Sequence, residues 1–285
     1  MSDLSKPHLS YPLGIRLRIL AFILLLSAAV SGCEQAPEPP SATPDEALLV
    51  ALNTPPFPSA FPLFPKQQLL GQFLPAEDIR FDRIPDTYSR GSARGKYLHR
   101  TALEAFINMH EAAKSAGVDL YIISATRNFS AQQRIWEAKW NGSRLVGGRN
   151  LAKSSLSPAD KAKEILKYSS MPGTSRHHWG TDIDINALTN TYFEKGEGKK
   201  VYDWLTTHAP AYGFGQPYTT KDSLRLVGYE EEKWHWSYLP LAKPYLIQYQ
   251  TQITTDDIRG FLGSEVAGEL AVIETYVLGI HPACK

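Results

Sequence analysis

Cysteine is nearly missing from this chain: Cys33 and Cys284 are the only two in 285 residues. A disulfide framework is therefore excluded as the source of stability. Charge of one sign is lacking too, since 30 basic and 29 acidic side chains leave a net charge of +1. No stripe of lysine and arginine stands out, so the electrostatic footprint of a nucleic-acid binder is missing. No apolar run reaches the roughly 20 residues of a comfortable membrane-spanning helix. No repeat with a period of roughly 20–50 residues is visible, which excludes solenoids and propellers. What is there is ordinary for a globular protein, 43% hydrophobic and 21% charged. Beyond residue 66 about 220 residues remain, enough for one substantial domain with its own core.

The N-terminus is patterned for export. Arg16 and Arg18 precede the apolar run Ile19–Leu26, and the small residues Ser27, Ala28 and Ala29 follow. That order is a secretory signal, expected over residues 1–32, with an uncleaved anchor as the alternative. Its exit, Val30-Ser31-Gly32-Cys33, resembles a bacterial lipobox. The resemblance implies lipidation of Cys33 and attachment to a membrane through the lipid; the plainer alternative is an ordinary signal with an incidental cysteine. Glu34 stands where an aspartate would favour the inner membrane. The expected place is therefore the cell envelope, facing the periplasm, on the outer membrane.

Prolines crowd the next stretch, from Pro37 to Pro65. Such density reads as a semi-extended tether over residues 33–66. Alternatively Phe57, Phe61, Leu63 and Phe64 pack on the domain as an irregular arm.

Residues 67–250 read as the catalytic domain and 251–285 as a helical extension. Leu98, Ala102, Ala105, Met109 and Ala112 recur at helical spacing, and Gly117 supplies the stop. Val118–Ile123 reads as a strand. Ser130 is expected to cap a helix through about Trp140, and Ser157-Pro158 to open another. Thr181–Ala187 alternates, with Asp182 and Asp184 on one face and Ile183 and Ile185 on the other. Tyr202–His208 reads as helix and Trp234–Tyr238 as strand. Ile258, Leu262, Val266, Ile273 and Val277 predict a C-terminal amphipathic helix. The fold class is α+β: a small antiparallel sheet flanked by helices.

Two segments carry chemistry, Ser175-Arg176-His177-His178-Trp179-Gly180-Thr181-Asp182-Ile183-Asp184 and Glu232-Lys233-Trp234-His235. Two imidazoles and a carboxylate suit one zinc ion, and catalytic zinc sites take three protein ligands and keep a position open. A further glutamate can serve as base beside the metal. Gly180 permits a sharp turn between the first two donors. On spacing alone, a pair such as His177 and Asp184 is more often an ordinary buried or surface pair than a metal site.

Taken together, these motifs resemble the VanY-type D-alanyl-D-alanine carboxypeptidases, zinc metallopeptidases of the LAS group. Ser175-x-His177-x-x-Gly180-x-x-x-Asp184 and Glu232-x-Trp234-His235 carry the likeness. Upstream, Ser124-Ala125-Thr126-Arg127-Asn128-Phe129-Ser130-Ala131-Gln132 is similar to the family's Ser-x-x-Arg-Ser-x-x-x-Gln segment, and Tyr212-Gly213-Phe214 and Gly228-Tyr229 fall in the family's order. The resemblance spans roughly residues 67–245. It implies zinc held by His177, Asp184 and His235, Glu232 as catalytic base, and Arg127 binding substrate and steadying the oxyanion. Gln132 and Ser175 are implied at the substrate. Lys233 replaces the usual proline, Asn128 the usual serine, and Asp182 a residue usually small and apolar. Asp182 is either a partner of the ligands or a competitor to Asp184, and His178 competes with His177.

The expected activity is trimming of peptidoglycan stem peptides by a zinc-dependent carboxypeptidase, with a peptide substrate, no nucleic acid and a monomeric state. Alternatives keep the chemistry and change the bond (an L,D-carboxypeptidase, a D-Ala-D-Ala dipeptidase or an endopeptidase). A further alternative loses catalysis and leaves a wall-binding module.

Overall fold

Alternation of Asp182-Ile183-Asp184-Ile185 places two carboxylates and two isoleucines on opposite faces of one strand, and the fold is arranged around that strand. The computed structural model describes residues 61–285. The expected signal segment, the lipidated Cys33 and most of the tether lie outside these residues. In chain order the elements are α1 (Lys66–Leu69), β1 (Phe81–Arg83), β2 (Tyr97–His99), α2 (Arg100–Ser115), β3 (Ile122–Ser124), α3 (Phe129–Trp140) and α4 (Pro158–Leu166). Then come β4 (Asp182–Ile185), α5 (Gly196–His208), β5 (Phe214–Gly215), β6 (His235–Tyr238) and α6 (Leu239–Gln252). Strands β1 and β2 form a separate pair, and the main sheet runs β3-β4-β6-β5, antiparallel throughout. This is the expected α+β class.

One face of the main sheet is apolar. Ile183, Ile185 and Trp236 join Phe106, Met109 and Leu205 from α2 and α5 in one core cluster. Fully burying each isoleucine contributes about 1.5–3 kcal/mol. A second cluster gathers Trp136 of α3, Ile165 of α4, Tyr245 and Tyr249 of α6, and apolar residues of the C-terminal stretch. The other face of β4 and β6 carries the acidic and imidazole groups, held between the two clusters.

Local chemistry explains several boundaries. Asn128, not Ser130, caps α3, its Oδ1 accepting from the Ala131 N–H at 2.9 Å. The departure from serine thus keeps a good cap. Ser157 caps α4 through the Asp160 N–H, with Pro158 in the first turn, as the sequence predicts. Gly180 sits at φ +71°, and a Cβ there would lie 2.2 Å from the Phe81 ring.

A further expectation is corrected. The C-terminal amphipathic helix is instead a chain of short turns, Thr255–Asp257, Ser264–Val266, Ile273–Val277 and Pro282–Cys284. Ile258, Val266, Ile273 and Val277 are buried as their periodicity suggests, while Leu262 is half exposed. Glycines interrupt the run: Gly263 adopts φ +81°, and a Cβ there would lie 2.4 Å from the Trp140 ring. The stretch is thus a buttress wrapped on the second cluster, and it includes the buried Cys284, unpaired among the described residues.

At the end of the stretch read as a tether, Phe64 packs on the domain as the alternative of an irregular arm expects. Phe64 is buried and stacks on Tyr245 at 3.9 Å between ring centroids. Its N–H donates to Gln248 Oε1 at 2.6 Å, and Gln248 Nε2 donates to the Pro62 carbonyl. Leu63 points outward, at 77% exposure. Among the described residues, no helix is long and apolar enough to cross a membrane.

Candidate active site

Antiparallel pairing sets Asp184 of β4 directly opposite His235 of β6, where cross-strand side chains approach within about 5 Å. His177 arrives from the turn Arg176–Trp179, which Gly180 lets fold back before β4 begins. The ligand atoms of His177, Asp184 and His235 lie within 4.8 Å of one another, all buried. His177 Nε2 is 3.4 Å and His235 Nδ1 3.3 Å from Asp184 Oδ1.

The remaining ring nitrogens are committed elsewhere, which fixes both tautomers. His177 Nδ1 donates to the Ala125 carbonyl at 2.9 Å, leaving Nε2 to face the triad. His235 Nε2 donates to Asp182 Oδ1 at 2.9 Å, leaving Nδ1. Asp184 Oδ1 is buried and accepts no hydrogen bond. An orphaned carboxylate oxygen between two open imidazole nitrogens is costly without a cation, and this donor set suits zinc.

Asp182 and His178 are thereby resolved. Asp182 is no competitor: it holds His235, and is held in turn by Arg176 Nε at 3.0 Å and Thr181 Oγ1 at 2.5 Å. Arg176, fully buried, also donates to Ser237 Oγ. His178 spends both nitrogens on backbone, donating from Nδ1 to the Arg127 carbonyl and accepting at Nε2 from Gly173 N–H. It is a brace.

Electrostatics separate the roles. Burial opposes the charge on Asp182, but Arg176 and then His235 overcome it and hold its pKa well below the carboxylate range. Asp184 is likewise lowered against its burial by His177 and His235. Burial, reinforced by Arg127, lowers His177, keeping the neutral form that ligates. His235 is raised, its burial outweighed by its bond to Asp182 and by the nearby carboxylates of Asp184 and Glu232.

Glu232 stands apart from the triad yet touches it, Oε2 lying 3.4 Å from His235 Nδ1. Burial raises its pKa, the direction a general base needs. Its backbone is pinned on both sides: its N–H donates to the Tyr218 carbonyl, and its carbonyl accepts from Gln216 Nε2. The turn to His235 is clamped by Asn190, whose Oδ1 accepts from Lys233 N–H while its Nδ2 donates to the Glu231 carbonyl. A proline at 233 would lose that N–H, so the lysine exchanges ring rigidity for a side-chain clamp.

These groups form the floor of a cavity of about 800 Å³, within the usual range for ligand sites. Arg127 and Ser175 line it, as the sequence predicts. Arg127 Nη1 donates to Ser124 Oγ at 3.0 Å and lies 3.9 Å from Asp184, and its Nε has no partner. The hydroxyl of Ser175 is also unpartnered. Gln132 is not brought to the cavity: it is buried, and Nε2 donates to the carbonyl of Ser170, a lining residue. Trp234 lines the cavity while Trp179 and Trp236 pack in the two cores.

Sequence reading missed Asn190, Tyr218 and Lys139, all of which line the cavity. Only Lys139 left a trace, as a lysine on the inward side of a helix whose buried residues include Gln132 and Trp136.

The family model for VanY, D-alanyl-D-alanine carboxypeptidase, matches residues 95–241. YodJ of Bacillus subtilis (strain 168) is 30% identical over 159 residues, 54% of this chain and 50% of that protein. The D-alanyl-D-alanine carboxypeptidase of Enterococcus faecalis (strain ATCC 700802 / V583) is 30% identical over 145 residues, 50% of this chain and 48% of that protein. The chain thus spans about half the length of the curated relatives it matches. Among solved structures, VanYB in complex with D-alanine-D-alanine is 26% identical, at a TM-score of 0.42 over 60% of this chain and 88% of that one. The LdcB LD-carboxypeptidase is 24% identical, at a TM-score of 0.44 over 65% and 77%.

Proposed function

Because the chain belongs to the VanY D-alanyl-D-alanine carboxypeptidase family, we propose that it is a zinc-dependent carboxypeptidase that trims peptidoglycan stem peptides. The observation that carries this reading is the buried Glu232 carboxylate beside the triad, 3.4 Å from His235 Nδ1. His177 Nε2, Asp184 and His235 Nδ1 would hold the zinc. When bound, zinc supplies Lewis acidity toward a carbonyl and makes water a nucleophile near neutral pH.

The chain's own residues do the rest. Glu232 takes the proton from the attacking water and returns it to the leaving amine, a task its raised pKa suits. Arg127 faces the cavity with an unpartnered Nε and gives fixed positive charge to the developing oxyanion. Ser175 offers a free hydroxyl to the peptide.

A wall-binding module with no catalysis is the less favoured reading. Binding needs no base, and burying a carboxylate away from a paired cation is costly. Incubation with defined muropeptides, read by product mass, tests the proposal. Release of one D-alanine from a stem ending in D-alanyl-D-alanine supports it. Release of D-alanine only from a stem ending in a single D-alanine assigns an L,D-carboxypeptidase, scission of a cross-linked dimer assigns an endopeptidase, and unchanged masses with retention on purified wall assign the binding module.

We further propose that the protein is lipid-anchored at Cys33 in the cell envelope, facing the periplasm from the outer membrane. Support comes from the segment Val30-Ser31-Gly32-Cys33. Fatty-acid labelling that disappears in Cys33→Ser supports the anchor, and label that persists or never forms overturns it.

A further inference from the structure

The cavity has three unlike sides. Its floor is acidic and metal-binding, and its far wall, from Leu188 through Thr191 to Trp234, carries no charge. The α3 side is cationic: Lys139 of α3 and Arg144 just beyond it line the same cavity as Arg127. Among the described residues, neither Lys139 nor Arg144 is paired with a carboxylate. The Lys139 ammonium donates to Ser169 Oγ, a neutral partner.

An ammonium held partly out of water without a counter-ion is unfavourable, and the cost is offset when an anion arrives. Burial, then the neighbouring Arg144 and Arg127, lower Lys139 to about 8. That value keeps it charged at neutral pH. The Ser169 bond fixes its direction, and the residues after α3 bring the more exposed Arg144 to the same wall.

We propose that Lys139, supported by Arg144, is a specificity-determining residue that anchors a carboxylate of the substrate peptide. This rests on the peptidase reading above. A stem peptide offers such a group in two places, at its free C-terminus and on an acidic residue ahead of the scissile bond. Either one seats the peptide with its anionic end toward α3 and leaves Arg127 to the reacting carbonyl. A C-terminal carboxylate on Lys139 further makes the enzyme select chain ends over internal bonds.

The test compares the zinc-loaded wild type, Lys139→Met and Lys139→Arg on three peptides ending in two D-alanines. One has a free C-terminus and an acidic upstream residue, one is amidated at the C-terminus, and one has a neutral upstream residue. Zinc content and melting temperature are measured alongside. A charge-assisted hydrogen bond corresponds to roughly a ten- to hundredfold change in KM. Lys139→Met is expected to raise KM by that factor on the fully acidic peptide, with kcat much less affected, and Lys139→Arg to restore most of it. The peptide on which wild type and Lys139→Met no longer differ identifies the carboxylate that Lys139 holds. The proposal is overturned if the wild type cleaves all three peptides with one KM, or if the Met variant keeps the wild-type preference. A wild type that cleaves none of them overturns the peptidase reading itself.

Discussion

His235 donates its Nε2 proton to Asp182, a strand neighbour at 2.9 Å. That one bond decides which nitrogen of His235 faces the triad. It also ties the metal site to a fully buried ion pair, since Asp182 is held by Arg176 at 3.0 Å. Carboxylate partners of this kind orient a ligating imidazole and raise its basicity.

Replacing Asp182 with asparagine is expected to weaken zinc binding about 10–100-fold. The variant also leaves Arg176 buried without its counter-charge, a loss of about 3–5 kcal/mol of stability. Competition with a chromogenic chelator measures the first effect and urea unfolding the second. Wild-type zinc affinity in a folded variant would show that the Asp182 bond is incidental.

Gly180→Ala tests the turn that brings His177 to Asp184. A side chain at φ +71° is strained, and its Cβ would meet the Phe81 ring at 2.2 Å. A destabilisation of about 1–3 kcal/mol from the backbone alone is expected, with zinc binding impaired as Arg176–Trp179 shifts. Thermal unfolding and zinc stoichiometry read both, and an unchanged pair of values contradicts this role for the turn.

His99 makes stability depend on pH. Burial, then Arg80, depress its pKa to about 4, against about 6.5 in the unfolded chain. Between those values the unfolded chain binds the proton that the folded one refuses. The contribution is therefore complete above about pH 6.5 and falls as pH drops toward 4. Melting temperatures of wild type and His99→Gln are expected to converge between pH 7.5 and 5, with the wild type losing more. Parallel curves would contradict the assignment.

Spacing alone does not single out His177, Asp184 and His235; the family resemblance implies them as ligands, and the turn before β4 and the pairing of β4 with β6 bring them together. Strand β4 was legible in the alternation of Asp182 to Ile185. The C-terminal stretch was misread because burial repeats at helical spacing there while Gly263 and its neighbours break the backbone. Gln132 was placed at the substrate by its motif position, yet its amide is spent on Ser170, a long-range contact that no local pattern encodes. Asn190 and Tyr218 are invisible for a related reason, since their importance comes from what the fold sets across from them. The role of Asp182 emerged only when β4 and β6 were paired.

The central claim is that Glu232 is the base of a zinc peptidase. Its most direct test is turnover of a stem peptide ending in D-alanyl-D-alanine by wild type and Glu232→Gln, each with zinc content measured. The account predicts that the wild type releases one D-alanine, and that the variant binds equal zinc but turns over about 10²–10⁴-fold more slowly. A zinc-loaded Glu232→Gln protein working at the wild-type rate would contradict it.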